Sequence, residues 1–331
     1  MNTHDLTQAV KKVALQNGAA LVGVASMDRF DPMPPYYDKV PRGMHPRDFL
    51  PSAMSVISFA QPILNPAMDA PALLHERHLE MYPDDARDHW LDSFYQKVAH
   101  ANQDSFLLAI GQMIGQFLLG KGYDAMVFPT EGIHFSLKDR TEDDLMRISK
   151  FGYISGPISH RHCATRAGLG EFGYNNLLLT REYGSRVRLN TVVTDAVLEA
   201  DPLVTEPICL RDQCMLCMKA CYMNAFVMRD NPGEPDYRSV DHVDKSVIFI
   251  DSPVKTFPQR CRDRKLQGGD TYPARGECVR VCPIPRRPKF LDARLTRLYD
   301  TWLPEHRARL AAQESEAINL LHRAVDLGVT L

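Results

Sequence analysis

Seven of the chain's eight cysteines fall between residues 209 and 282, in two runs. The first run is Cys209, Cys214, Cys217 and Cys221. The second is Cys261, Cys278 and Cys282, with Pro283 directly after the last. Thiolates are soft, polarisable ligands that suit iron–sulfur clusters and zinc. Close spacing lets one loop wrap a metal centre while a remote cysteine closes it. A structural zinc is the simpler alternative for C-x4-C-x2-C-x3-C. Zinc sites usually pair two separated C-x2-4-C hairpins, however, so the crowded first run and the terminal Cys-Pro favour clusters.

The spacing resembles that of a bacterial two-cluster ferredoxin, in which the fourth cysteine of each run serves the other run's cluster. That resemblance implies Cys209, Cys214, Cys217 and Cys282 on one 4Fe-4S cluster, and Cys221, Cys261 and Cys278 on the other. Arg275 stands at the C-x2-C position ahead of Cys278, where a fourth ligand belongs. The second centre is therefore expected to be 3Fe-4S, or 4Fe-4S with a non-cysteine fourth ligand. Cys163 lies outside both runs and reads first as a buried free thiol.

The chain of 331 residues has room for one large domain or two ordinary ones. Apolar residues at 44% can fill a core, and charged residues at 24% are ordinary for a soluble protein. A net charge of -2 exerts no global pull on nucleic acid or anionic lipid. No apolar run reaches the roughly 18 residues that a membrane helix needs. The polar, amphipathic start lacks a signal-peptide core, so a cytoplasmic location is expected. Thiols there stay reduced, and clustered cysteines then mean metal or catalysis rather than disulfides.

The elements that must position these cysteines follow from periodicity. A helix is expected over 4–18, with Leu6, Val10, Val13 and Leu15 as its apolar positions. Short apolar runs at 20–25, 55–60 and 124–128 read as strands, and a long helical stretch covers about 90–121. Between the first two strands lies a proline-rich, irregular segment. A helix starts near Ser159, a plausible N-cap, and stops at Gly168-Leu-Gly170. Residues 176–180 and 186–193 read as a hairpin around Glu182–Ser185. The cysteine region follows, and from about 290 the chain is again helical. Three domains are expected: 1–204, 205–290 and 291–331.

The stretch Ser159-His-Arg-His-Cys-Ala-Thr-Arg-Ala-Gly-Leu-Gly-Glu-Phe-Gly-Tyr-Asn-Asn176 adds a second resemblance. With Leu179-Thr-Arg-Glu-Tyr-Gly-Ser-Arg-Val-Arg-Leu-Asn190 and the cysteine runs, it resembles the epoxyqueuosine reductase family and, more distantly, the reductive dehalogenases. The resemblance implies an α+β fold: a nitroreductase-like, cobalamin-binding α/β domain, then a ferredoxin-like two-cluster domain and a C-terminal helix. It also implies cobalamin, reduced by electrons relayed through two iron–sulfur clusters. Gly168, Gly170, Gly173, Asn175, Tyr183, Gly184 and Ser185 become the corrin-contact candidates. Glycines let backbone approach a planar ligand closely, although AGLG and EYGS are also ordinary turn chemistry.

The epoxyqueuosine reductases carry an aspartate proton donor just upstream of the helix that starts here near Ser159. This chain has Ile154 nearest that place, with Tyr153 beside it. The reductive dehalogenases use a tyrosine as the acid, so Tyr153 is the candidate donor; the bland reading is a packed aromatic. His160 and His162 lie about 200° apart on a helix and cannot face one ligand together; His160 joins Tyr153 as a catalytic candidate. His134, on a loop after a strand, is a weaker site candidate. The family's first cysteine slot is occupied by Arg211, with Cys209 two residues earlier.

These readings imply a reductase that removes oxygen or halogen from a small organic substrate. Its electron donor would be a protein such as ferredoxin or flavodoxin, and transfer RNA is disfavoured as substrate. The alternative is a non-catalytic electron-transfer or corrinoid-reducing partner protein.

Overall fold

The first helix, α1 (Thr3–Gln16), begins where the Asn2 side chain accepts from the Asp5 backbone N–H. That satisfies one of the donors left free at a helix start. Its buried face is Leu6, Thr7, Val10 and Ala14. Leu15 was expected on that face but is exposed, because it falls off the i, i+4 line set by the other three apolar residues. The computed structural model describes residues 1–31, 45–69, 98–99, 102–130, 158–221, 246–251, 253, 276–286, 293–302 and 304.

These residues belong to two compact units, each built from separated stretches of chain. The first comprises Met1–Ile63, Ala99–Glu171 and Val187–Glu206. Its sheet contains β1 (Leu21–Ser26), β2 (Ser55–Pro62) and β3 (Ala125–Val127). It also contains β6 (Val187–Thr194), named after two short strands, β4 (Glu171–Phe172) and β5 (Leu178–Leu179), that form their own sheet. The four-stranded order is β1-β2-β6-β3, with every pair antiparallel. Residues 55–60 of β2 are all buried, which requires cover on both faces.

That cover follows the period of two along a strand. Ile57 and Phe59 pack with Val24, Val192, α1 and the helix α2 (Gln103–Leu119). Their neighbour Val56 faces the other way, with Ala25, Val193 and Phe128. There it meets Cys163 and Ala167, at the helix α3 (His160–Arg166) and its C-cap. Helix α2 contributes Leu107, Ile110, Ile114 and Leu118, and it comes close to the sheet at Gly111. A Cβ at Gly111 would lie 2.7 Å from Val127 Cγ1. Arg188 on β6 grips Asp104 at the start of α2 with two guanidinium nitrogens, at 2.5 and 3.0 Å from one carboxylate oxygen.

Ser159 is the N-cap of α3 by position, but its hydroxyl bonds the His162 ring at 2.6 Å instead of a backbone N–H. The helix stops by a Schellman arrangement: Leu169 N–H donates to Ala164 O, and Gly168 N–H to Thr165 O.

The expected hairpin of 176–180 with 186–193 is corrected by the structure. Thr180 and Gly184 do exchange backbone hydrogen bonds around a tight turn. Beyond them, β5 pairs with β4, whereas β6 pairs with β2 and β3. Both edges of β6 are thus already taken within the first unit.

The second unit comprises Leu64–Val98, Phe172–Arg186 and Pro207–Leu331. The first unit's last segment ends at Glu206, and 64–98 and 172–186 cluster with the cysteine region. Three short helices are described here: α4 (Leu216–Lys219), α5 (Glu277–Arg280) and α6 (Ala293–Arg297), the last continuing as a π turn over Leu298–Trp302. Cys214, Leu216, Ala220, Val281, Leu298 and Tyr299 form its apolar cluster. The Tyr299 hydroxyl donates to Val281 O.

Candidate metal centre

Both cysteine runs fold by the same local device. A left-handed residue, Met215 at φ 57° or Gly276 at φ 90°, starts a four-residue helix. The second residue of each helix is a cysteine, Cys217 in α4 and Cys278 in α5. A further cysteine, Cys221 or Cys282, directly follows each C-cap. The runs are therefore a structural as well as a sequence repeat, and Arg275 corresponds to Cys214 in register.

Cys209, Cys214, Cys217 and Cys282 line one cavity, together with Tyr174, Leu179, Met215, Pro283 and Ile284. Cys214 and Cys282 are buried, and Cys209 and Cys217 are partly so. This is the set that the ferredoxin-like spacing groups together. Burial pushes the Cys209 thiol up to about 12, and the neighbouring Cys282 and Cys214 act the same way. Burial likewise raises Cys217 well above the usual thiol range, with Cys209 and Cys214 adding to it. Four thiolates can share such a space only with compensating positive charge, which metal supplies. The donor set and its apolar walls therefore fit an iron–sulfur cluster. Among the described residues, no three His, Cys, Asp or Glu side chains converge tightly enough to hold a single metal ion. Cluster ligands need not converge in that way, because they bind separate irons at different corners.

The wall is braced by residues that sequence reasoning left without a role. Tyr174 is buried, donates its hydroxyl to Asp212 at 2.9 Å, and stacks on Phe249. Burial raises the Tyr174 phenol, and Asp212 adds to that. The Arg211 guanidinium sits 4.1 Å from the Phe249 ring centroid and donates to Val247 O at 2.7 Å. Tyr174 lies inside the GYNN motif, so its neighbourhood was legible although its partner was not.

Of the second expected ligand set, Cys221 and Cys278 are partly buried and do not line this cavity. Cys261 and Arg275 lie outside the described residues, as do Tyr153 and His134.

The corrin-contact candidates divide between the units. Gly168 and Gly170 belong to the first, and Gly173, Asn175, Tyr183, Gly184 and Ser185 to the second. Three of the glycines already face protein atoms. A Cβ on Gly168 would lie 2.2 Å from Pro202 O, on Gly173 2.3 Å from Leu179 Cδ1, and on Gly184 1.9 Å from Ile284 O. Asn175 donates to Cys278 O at 3.3 Å. Tyr183 is half-buried; Ser185 is buried, and its Oγ has no hydrogen-bond partner among the described residues. The close approaches expected toward a planar ligand are thus made, at these three glycines, toward the chain itself.

His160 is held at both ring nitrogens, with Nε2 2.8 Å from Pro129 O and Nδ1 2.9 Å from Thr191 Oγ1. A carbonyl can only accept, so Nε2 carries the proton and Nδ1 accepts from the threonine hydroxyl. Burial lowers the ring to about 4. The ring is neutral near pH 7 and has no spare proton to deliver. Burial lowers His162 well below the ordinary imidazole range, with Arg161 and Arg166 acting in the same direction. Cys163 is a core residue whose thiol burial pushes up to about 12.

Fold and site together define an α+β protein with a four-thiol cavity in its second unit. No family model matches the chain. It is 30% identical over 139 residues to the epoxyqueuosine reductase of Bacillus subtilis, covering 41% of this chain and 31% of that protein. With the epoxyqueuosine reductase of Listeria monocytogenes it shares 40% identity over 136 residues, covering 41% and 32%. A tetrachloroethene reductive dehalogenase of Desulfitobacterium hafniense is 36% identical over 93 residues, covering 26% and 16%. The matches to these two epoxyqueuosine reductases thus span only about a third of their length. Among solved structures, a selenomethionine-labelled epoxyqueuosine reductase superimposes with a TM-score of 0.53 at 19% identity, covering 88% of this chain and 68% of that one. A catabolic reductive dehalogenase gives 0.53 at 17% identity, covering 95% and 36%. The chain is thus similar in sequence to members of the epoxyqueuosine reductase and reductive dehalogenase superfamily, and similar in fold to these solved structures.

Proposed function

We propose that this chain is an iron–sulfur reductase of that superfamily, acting on a small organic substrate by reductive removal of oxygen or halogen. The observation that carries the reading is the convergence of Cys209, Cys214, Cys217 and Cys282 on one cavity. These four would hold one 4Fe-4S cluster, and Cys221, Cys261 and Cys278 the other, as 3Fe-4S or with a non-cysteine fourth ligand. Cobalamin is proposed as the second cofactor on the strength of the relatives; a solved neighbour of the same fold is described by its B12-dependent dehalogenation. When bound, clusters supply one-electron transfer and cobalamin a strongly reducing centre.

The chain's own residues supply the rest. Tyr174 and Asp212 brace one wall, while Leu179, Met215 and Ile284 line the cavity beside the thiols. Proton delivery falls to Tyr153, since both His160 nitrogens are occupied. Electrons would come from a carrier such as ferredoxin or flavodoxin. Among the described residues, no helix is long and apolar enough to cross a membrane.

The test is anaerobic purification followed by iron and sulfide analysis, electron paramagnetic resonance and a visible titration with cobalamin. Roughly seven to eight iron per chain and a corrin spectral shift are expected. Zinc without sulfide would overturn the cluster reading. Intact clusters with no corrin shift would remove cobalamin and leave an electron-transfer protein.

A further inference from the structure

We propose that Arg186 is the positioning residue for Cys282, and that its buried charge raises the reduction potential of the centre that Cys282 helps to hold. This rests on the cluster reading above.

Arg186 is 5% exposed. Its Nη2 donates to Arg280 O at 2.8 Å and to Cys282 O at 3.4 Å. Those carbonyls flank Val281, the C-cap of α5. One guanidinium therefore both caps α5 and ties down the peptide that carries Cys282. Gly184, two residues earlier, lies against Ile284 O, and Asn175 donates to Cys278 O. The 172–186 segment thus clasps the second cysteine loop at three places, and Arg186 is the charged one.

The surrounding charges decide the sign. Arg280 is paired with Glu277 at 2.9 Å, both almost fully buried, so that pair adds little net charge. Asp69 is a further buried acid that senses Arg186 and Arg280. Burial raises its pKa while Arg186 and Arg280 act to lower it; a carboxylate there weakens but does not reverse the contribution of the Arg186 charge. A positive charge at low dielectric next to a centre that gains an electron favours the reduced form.

The experiment is a redox titration of the anaerobic full chain, followed by electron paramagnetic resonance, for wild type, Arg186→Gln and Arg186→Lys. Arg186→Gln should lower the reduced-to-oxidised ratio at fixed potential about tenfold, about 59 mV for a one-electron couple. Arg186→Lys, which keeps the charge, should stay within about threefold of wild type. Loss of iron in Arg186→Gln with retention in Arg186→Lys also supports the positioning role. Full iron with an unmoved potential in Arg186→Gln overturns the inference alone, as does equal iron loss in both variants. A wild type with no cluster signal overturns the cluster reading, and this inference with it.

Discussion

The backbone N–H of Arg211 donates to the sulfur of Cys209 at 3.4 Å. The turn that brings them together needs Arg211 at φ 52°, a left-handed conformation that a non-glycine side chain adopts reluctantly. Its side chain is held by Val247 O and the Phe249 ring, which stabilises that conformation. Arg211 occupies the slot where the resemblance puts the family's first cysteine. The turn offers an account of how a sulfur two residues earlier still reaches the cavity.

Cys209→Ser should therefore reduce bound iron and sulfide sharply, while Arg211→Ala should loosen the same corner. We expect Arg211→Ala to destabilise the second unit by about 1–3 kcal/mol, since the left-handed turn loses both anchors. Chemical denaturation of the metal-free chain and iron retention on dilution read the two effects separately. Unchanged retention in Cys209→Ser would remove Cys209 from the ligand set.

Gly168→Ala and Gly184→Ala separate packing from corrin contact. Both glycines have positive φ, 76° and 59°, and in both a Cβ would strike a backbone carbonyl. Each substitution should lower stability by at least about 1–2 kcal/mol without any cofactor present. If these glycines served only a corrin, the cofactor-free melting curve would not move.

His160 makes stability depend on pH. Its folded pKa, about 4, lies below the ordinary 6.5 because burial disfavours the charged ring. The stabilisation is fully present above pH 6.5 and is lost as pH falls from there toward 4. His162 acts in the same direction. Between pH 7.5 and 5, His160 should contribute a loss of about 1–2 kcal/mol after allowing for its partial exposure. Denaturation at the two pH values should show a smaller drop in His160→Gln than in wild type. An equal drop in both would show that the ring does not titrate this way.

Tyr174→Phe keeps the aromatic wall but removes the donor to Asp212. We expect retained iron and a loss of about 1 kcal/mol, read from denaturant midpoints. Tyr174→Ala, which also deletes the stack on Phe249, should cost about 3–5 kcal/mol and release iron. Iron loss in Tyr174→Phe equal to that in Tyr174→Ala would mean the hydroxyl, not the ring, holds the wall.

What the sequence determined by itself is local. The cysteine spacing named the four sulfurs that line one cavity, because a short run of chain limits where its thiols can go. Apolar runs marked β1, β2 and β3, and Gly168 marked the end of α3, because period and backbone freedom are properties of adjacent residues. Tertiary structure decided the partners. It sent β6 to β2 and β3 rather than back onto β5, and it turned three of the supposed cofactor glycines against carbonyls and a side chain of the chain itself. It also set Arg186 on the carbonyl of Cys282, 96 residues away. Backbone donors and acceptors are identical along the chain, so sequence pattern cannot say which of them will meet; only the packed fold, by excluding water from some pairs and not others, makes that choice.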